Sequence, residues 1–277
     1  MSNVDQQREL TRTALAALES YGFVLAGSGS IREHGLIDRP TEDIDLFTVM
    51  DYKGLFPQAV LALRERVERA GWEVTVNRQS DTFARMAMSL PDGQEINVDL
   101  GIDWRRFPPA RLEIGNVLSR DDAVGNKVAA LFSRFEPRDL LDVDAIRQSG
   151  TYTDSQLLEL AVQSDPGFDL GMFTERLRQV SDIPFRQVQA YLVSEQEFAA
   201  VVQRCTQWAQ ELSELLPPVS DNDEERGRRD ATRETIMHDI TRASFPESAK
   251  HAMKNDITTT EAPKPRALHR LDRKRRK

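Results

Sequence analysis

The chain has 277 residues, room for one large domain or two smaller ones at roughly 100–200 residues each. Its 37 Lys+Arg against 45 Asp+Glu give a net charge of −8, which argues against a nucleic-acid binder acting through bulk positive charge. A single cysteine, Cys205, excludes an intrachain disulfide framework and a Cys-rich zinc module, and His34, His238, His251 and His269 show no metal-ligand spacing.

The first predicted element is a helix over 4–21, with Leu10, Ala14, Ala17, Leu18 and Tyr21 at helical spacing and Gly22 as its stop. Phe23–Ala26 reads as a short strand. It runs into the small-residue turn Gly27-Ser28-Gly29-Ser30, which opens a helix to about Gly35. Arg39-Pro40 is a break, because Pro40 biases its predecessor away from helix. Asp43–Val49 alternates, with Asp43, Asp45, Phe47 and Val49 on one face and Ile44 and Leu46 on the other. An amphipathic helix follows over 57–70, ended by Gly71. Strands are predicted at 73–77, 82–90 and 95–100, the last two joined by the turn Pro91-Asp92-Gly93. In the last strand Asn97 and Asp99 point away from Ile96, Val98 and Leu100.

From Ser119 the pattern is helical. Helices are predicted over 119–134, from Arg138, and over 154–163, 172–181 and 184–215. After Pro217-Pro218 the residues are charged, rich in Ser and Thr, and poor in aliphatics. Only 230–243 carries a helical pattern there. This composition predicts a weakly ordered extension. The organisation is thus α+β: a mixed-sheet domain over 1–118, a mostly helical domain over 119–218, and a charged extension over 219–277. Lys264–Lys277 holds eight Lys and Arg against Asp272, a local +7, so residues 1–263 carry −15. No apolar run approaches the ~18 residues of a membrane span. The N-terminus lacks the pattern of a signal peptide. The expectation is a cytoplasmic protein with no membrane partner.

The chemistry lies in Gly27-Ser28, Asp43-Ile44-Asp45 and Asp99. Two aspartates two apart on a strand share a face and repel, and burying them unpaired is costly. A hard divalent cation such as Mg²⁺ resolves this, taking oxygen ligands and keeping places for water and substrate phosphates. Asp99, from another strand, could join the metal site or serve as general base toward an acceptor hydroxyl. The Gly-Ser turn offers backbone N–H groups and a hydroxyl to a triphosphate. Each motif alone is more often structural; their order along the chain is what matches in-line nucleotidyl transfer.

The run Phe23–Ser30, followed by Arg39-Pro40-Thr41-Glu42-Asp43-Ile44-Asp45-Leu46-Phe47, resembles the nucleotidyltransferases of the AbiEii/AbiGii toxin family, within the DNA polymerase β-like superfamily. A second block, Asn126–Val143, resembles that family's later motifs: a helix lysine, an Arg-Asp pair and a further Asp. Family members often read Gly-Gly-Thr-Ala-Leu or Gly-Ser where this chain has Gly-Ser-Gly-Ser-Ile, so Ser28 and Ser30 are both candidates for the family serine. The resemblance implies a mixed-sheet nucleotidyltransferase domain. It implies Asp43, Asp45, Asp99, Lys127 and Asp139 as catalytic, with Asp43, Asp45 and Asp99 on Mg²⁺. Gly27, Ser28, Ser30, Arg39 and Lys127 are expected on the NTP. Val124, Lys127, Leu131 and Arg134 share a helical face, which suits a lysine reaching the triphosphate.

The resemblance also implies a toxin of a type IV toxin–antitoxin or abortive-infection system. In its MenT-type relatives the acceptor is the tRNA 3′ end. A cognate antitoxin would be the regulatory partner. Two other functions fit the same residues: nucleotidylation of a small molecule or a protein side chain, and an inactive binding module whose carboxylates are structural. Asp103-Trp104-Arg105-Arg106 could form part of an acceptor surface; a packed Trp with exposed arginines fits it equally well.

Overall fold

The computed structural model describes residues 3–89, 93 and 95–216. The predicted turn residues Pro91 and Asp92, the Pro217-Pro218 break, the 230–243 pattern, the extension over 219–277 and the basic tail lie outside the described residues.

Helix α1 (Asn3–Leu18) buries Leu10, Ala14 and Leu18 and passes through a 3-10 turn, Glu19–Tyr21. Strand β1 is only Val24–Leu25, and helix α2 begins at once, at Gly27, and ends at Glu33. Strand β2 is Asp43–Thr48. A 3-10 helix over Met50–Leu55, absent from the sequence reading, leads into α3 (Phe56–Arg69). Strands β3 (Glu73–Gln79), β4 (Phe83–Ser89) and β5 (Glu95–Ile102) follow as predicted, β4 and β5 antiparallel. Strands β6 (Ala110–Leu112) and β7 (Gly115–Val117) were not predicted. Three residues each, after Pro108-Pro109, give no periodicity to read.

The seven strands form one mixed sheet in the order β3-β4-β5-β2-β1-β7-β6. Strand β2 is parallel to β5 and antiparallel to β1. The register sets Asp45 beside Asp99, and Asp99 beside Arg85 on β4. These three residues form a row across three strands and project from one face, because side chains at paired positions share a side.

Five helices complete the described chain: α4 (Arg120–Ser133), α5 (Pro137–Gln148), α6 (Asp154–Ser164), α7 (Leu170–Arg178) and α8 (Glu195–Leu215). Ser119 caps α4 by accepting the Asp122 N–H. Phe135, at φ 54°, turns α4 into α5. The helix predicted over 184–215 starts only at Glu195. A capping box of Ser194 and Glu197 begins it, and Leu192 at φ 60° breaks the chain just before. Residues 185–191 instead form two 3-10 turns.

The core has two parts because β1 buries side chains on both faces, Leu25 on one and Val24 on the other. Leu25, Ile44 and Leu46 pack with Leu10, Phe56, Leu63, Met86 and Val98 beneath α1 and α3. Val24 and Ala26 join Ile31, Val124, Leu131, Leu140, Phe173 and Trp208 among the later helices. Each fully buried side chain of this size contributes roughly 1.5–3 kcal/mol. Gly125 lets α4 and α6 touch: a Cβ there would lie 2.6 Å from the Leu160 carbonyl oxygen. No described helix is long and apolar enough to cross a membrane.

Candidate active site

Alternation on β2 turns Asp43, Asp45 and Phe47 toward a cleft of about 230 Å³, while Ile44, Leu46 and Thr48 are buried behind them. Gly27, Ser28, Arg39, Arg85, Asp99, Lys127, Arg134, Arg138 and Tyr191 also line it. Gly27 is at φ 56°, and a Cβ on it would lie 1.8 Å from Asp45 Oδ2. Only glycine lets the Gly-Ser turn lie directly against that carboxylate.

The three carboxylates differ in their partners. Both oxygens of Asp99 accept from Arg85, Nε at 2.7 Å and Nη2 at 2.6 Å. Arg138 stands 3.9 Å from Asp43. Among the described residues Asp45 has no hydrogen bond or ion pair to its carboxylate. Burial raises the Asp45 carboxyl above its ordinary value; the charges of Asp99 and Asp43 add to this, and Lys127 opposes it. Among the described residues no three His, Cys, Asp or Glu side chains group closely enough to hold one ion. The metal role expected of Asp99 would use oxygens that already accept from Arg85.

On the opposite wall Lys127, Arg134 and Arg39 are each matched by a carboxylate. Lys127, buried on α4, sits 3.0 Å from Ser28 Oγ, 3.0 Å from Asp139 and 3.1 Å from Asp142. Arg134 donates twice to Asp139, at 2.6 and 2.8 Å, and Arg39 twice to Asp142, at 2.7 and 2.8 Å. The Ser28 hydroxyl donates to Asp142 at 2.8 Å and accepts from Arg39 at 3.1 Å. Asp139 and Asp142 are fully buried on α5. Burial disfavours a charged Asp139, but the Arg134 hydrogen bonds and the Lys127 charge outweigh it and hold the carboxyl below its usual range. Arg39 also lies over the Tyr191 ring, 5.2 Å from its centre, tying the loop before β2 to the segment before α8.

The fold thus brings Gly27, Ser28, Arg39, Asp43, Asp45, Asp99 and Lys127 to one cleft. Two expected residues stand apart. Ser30 is fully buried and donates to the Gly27 carbonyl at 2.7 Å, so it shapes the turn and does not line the cleft. Asp139 lies behind Lys127 and touches the cleft only through it and Arg134. Of the two serines, Ser28 is the one with its hydroxyl in the cleft. Arg85 and Tyr191 were given no role by sequence, and Arg138 and Asp142 entered only as the Arg of the Arg-Asp pair and the further Asp of the second motif. The β4–β5 register is the signal that finds Arg85. The i, i+3 spacing of Asp139 and Asp142 on one helix face is the signal that finds Asp142.

A mixed sheet carrying paired carboxylates against a Gly-Ser turn is the layout of a nucleotidyltransferase. Residues 8–226 match the family described as nucleotidyl transferase AbiEii toxin, type IV TA system. The chain belongs to this AbiEii family of nucleotidyltransferase toxins. No curated protein sequence matches it. Among solved structures, JHP933 from Helicobacter pylori aligns over 93% of this chain and 99% of its own, with 18% identity and a TM-score of 0.44. The nucleotidyltransferase toxin MenT4 from Mycobacterium tuberculosis H37Rv aligns over 85% of this chain and 90% of its own, with 16% identity and a TM-score of 0.45.

Proposed function

We propose that the protein transfers a nucleoside monophosphate from an NTP to an acceptor hydroxyl with release of pyrophosphate, and that the acceptor is the 3′ end of tRNA. One observation carries the reading: Asp43 and Asp45 face Ser28, Arg39 and Lys127 across a single cleft. Anionic phosphates fit between these walls only if the carboxylates are neutralised. The donor set of Asp43 and Asp45, two hard oxygen ligands with the Asp45 carboxyl already pushed up by burial and its acidic neighbours, fits Mg²⁺. When bound, the ion offsets their repulsion and polarises the phosphate being transferred.

The chain's own groups do the rest. Gly27 brings backbone close to the site, and Ser28, Arg39 and Lys127 hold the triphosphate by charge and hydrogen bonds. The acceptor oxygen bonds to the α-phosphorus as the bond to pyrophosphate breaks, and its proton passes to a base. Asp99 is the candidate base, with Arg85 giving up one of its oxygens for that step. Asp139 and Asp142 are positioning residues that fix Lys127, Arg39 and Ser28. A cognate antitoxin is the regulatory partner that the family supports, and a cytoplasmic setting agrees with such a target.

The test is incubation of the full chain with each labelled NTP, Mg²⁺ and total tRNA. Label on the RNA is expected, lost by at least about 10³-fold in Asp43→Ala and Lys127→Ala. Label on protein or on an aminoglycoside instead would reassign the acceptor. Full transfer in both variants would overturn the site assignment.

A further inference from the structure

We propose that the face running from Phe47 to Trp104 is a track for a single-stranded nucleic-acid end, with Trp104 as the stacking platform for a base. The inference rests on the nucleotidyl-acceptor reading above and extends it to a surface outside the cleft.

Phe47 lies two residues past Asp45 on the same face of β2, about 7 Å along the strand. It borders the cleft on one side. On its other side it borders a narrow gap with Trp104 and Arg105. Beyond Trp104 opens a groove of about 690 Å³ that also holds Met50, Arg106 and Phe107. Trp104 is 55% exposed and Met50 62% exposed. Large apolar side chains grouped in the open mark a binding surface.

Two arginines, Arg105 and Arg106, and two aspartates, Asp51 and Asp103, line the groove. Among the described residues neither Arg105 nor Arg106 has a carboxylate within ion-pair distance. Arg105 donates through Nη2 to the Gly22 carbonyl at 3.1 Å, and its buried Nη1 has no partner. Arg106 lies over the Phe107 ring at 5.6 Å. Two of the nearby acids accept backbone N–H groups. Asp122 accepts the Arg106 and Phe107 N–H groups at 3.2 and 2.9 Å, and Asp103 accepts the Trp104 N–H at 2.7 Å. The same bonds fix the loop, so Trp104 is held out rather than folded back. An exposed aromatic face beside arginines that make no ion pair can stack the base of a single strand with little base preference. Its continuity with the cleft through Phe47 aligns such a strand with its terminal hydroxyl toward Asp45.

The test uses the full chain and a short labelled single-stranded oligoribonucleotide without NTP, read by anisotropy, together with the KM for tRNA in the transfer assay. Trp104→Ala is expected to weaken oligonucleotide binding roughly ten-fold or more, and Trp104→Phe to restore most of it. Trp104→Ala should raise the tRNA KM and leave the affinity for NTP unchanged. Wild-type oligonucleotide affinity in Trp104→Ala overturns the track. So does loss of antitoxin binding with oligonucleotide affinity intact, which would make the face a protein-docking surface. If Trp104→Ala weakens the oligonucleotide but no RNA is ever labelled, the track stands and the acceptor reading fails.

Discussion

On the helical wall of the cleft, Asp139 and Asp142 are fully buried, and each is matched by Lys127 and by an arginine with two hydrogen bonds. On the sheet wall, Asp45 stands between Asp43 and Asp99; Asp99 is neutralised by Arg85, Asp43 has only Arg138 at 3.9 Å, and the Asp45 carboxylate has no partner among the described residues. The first arrangement is closed: removing any member strands a buried charge. The second is open: three carboxylates meet two arginines, and the remaining charge is balanced only when something positive enters. On the proposed reading, stability rests on the carboxylates behind the cleft and transfer on those that line it.

The sharpest way to break this contrast is at Asp139. Asp139→Ala leaves Lys127 and Arg134 without their shared partner, and unfolding in urea should show a loss of about 3–5 kcal/mol. An equal loss in Asp45→Ala would erase the distinction. Next is Gly27→Ala. Its Cβ would collide with Asp45 Oδ2, and its φ of 56° is strained for alanine. Displacing that carboxylate by about 1 Å should lower transfer roughly 10²-fold with the fold retained by circular dichroism.

Glu159 on α6 tests what an unmatched carboxylate costs. Its Oε1 accepts from Gln163 at 3.0 Å, its buried Oε2 has no partner, and burial pushes its pKa up to about 6, against a weaker pull from Arg106. The folded state holds this proton more tightly than the unfolded chain, so stability falls as pH rises from about 4.5 to about 6. Glu159→Gln should be the more stable protein at pH 7, by about 2 kcal/mol, and the gain should vanish below pH 4.5. The smallest effect concerns Asp45. Its raised carboxyl follows the same sign, so Asp45→Asn should increase the melting temperature at pH 7 in EDTA. Mg²⁺ should raise the melting temperature of the wild type and not of this variant. A melting temperature unmoved by Mg²⁺ in both would remove the cation from the sheet wall.

The sheet wall was legible in sequence because a strand has period two. Asp43, Asp45 and Asp99 alternate with aliphatic residues, and that pattern sets their face. Lys127 and Asp139 were found through family resemblance, since a lysine and an aspartate on helices are ordinary without a partner in view. Arg85 was not legible: it becomes a site residue only through the register that sets β4 beside β5. Tyr191 escaped for a related reason. It reaches Arg39 from a segment misread as helix, although Ser194 and Glu197 already spelled the cap of a helix starting after it. Ser28 and Ser30 looked equivalent in sequence, and the helical turn separates them, one toward the cleft and one toward the Gly27 carbonyl.

The bend at Phe135 has a kinetic consequence. It folds α4 back on α5, so Lys127 meets Asp139 only 12 positions along the chain. Ser28 and Arg39 reach Asp142 across 114 and 103 positions. Contacts between near neighbours close cheaply, and those spanning a hundred residues require most of the chain to be ordered first. The lysine–aspartate pair is therefore an early, local product of folding, and the serine and arginine contacts are among the last to close. Competence for transfer should arrive only at the end of the refolding reaction, after helix content has recovered.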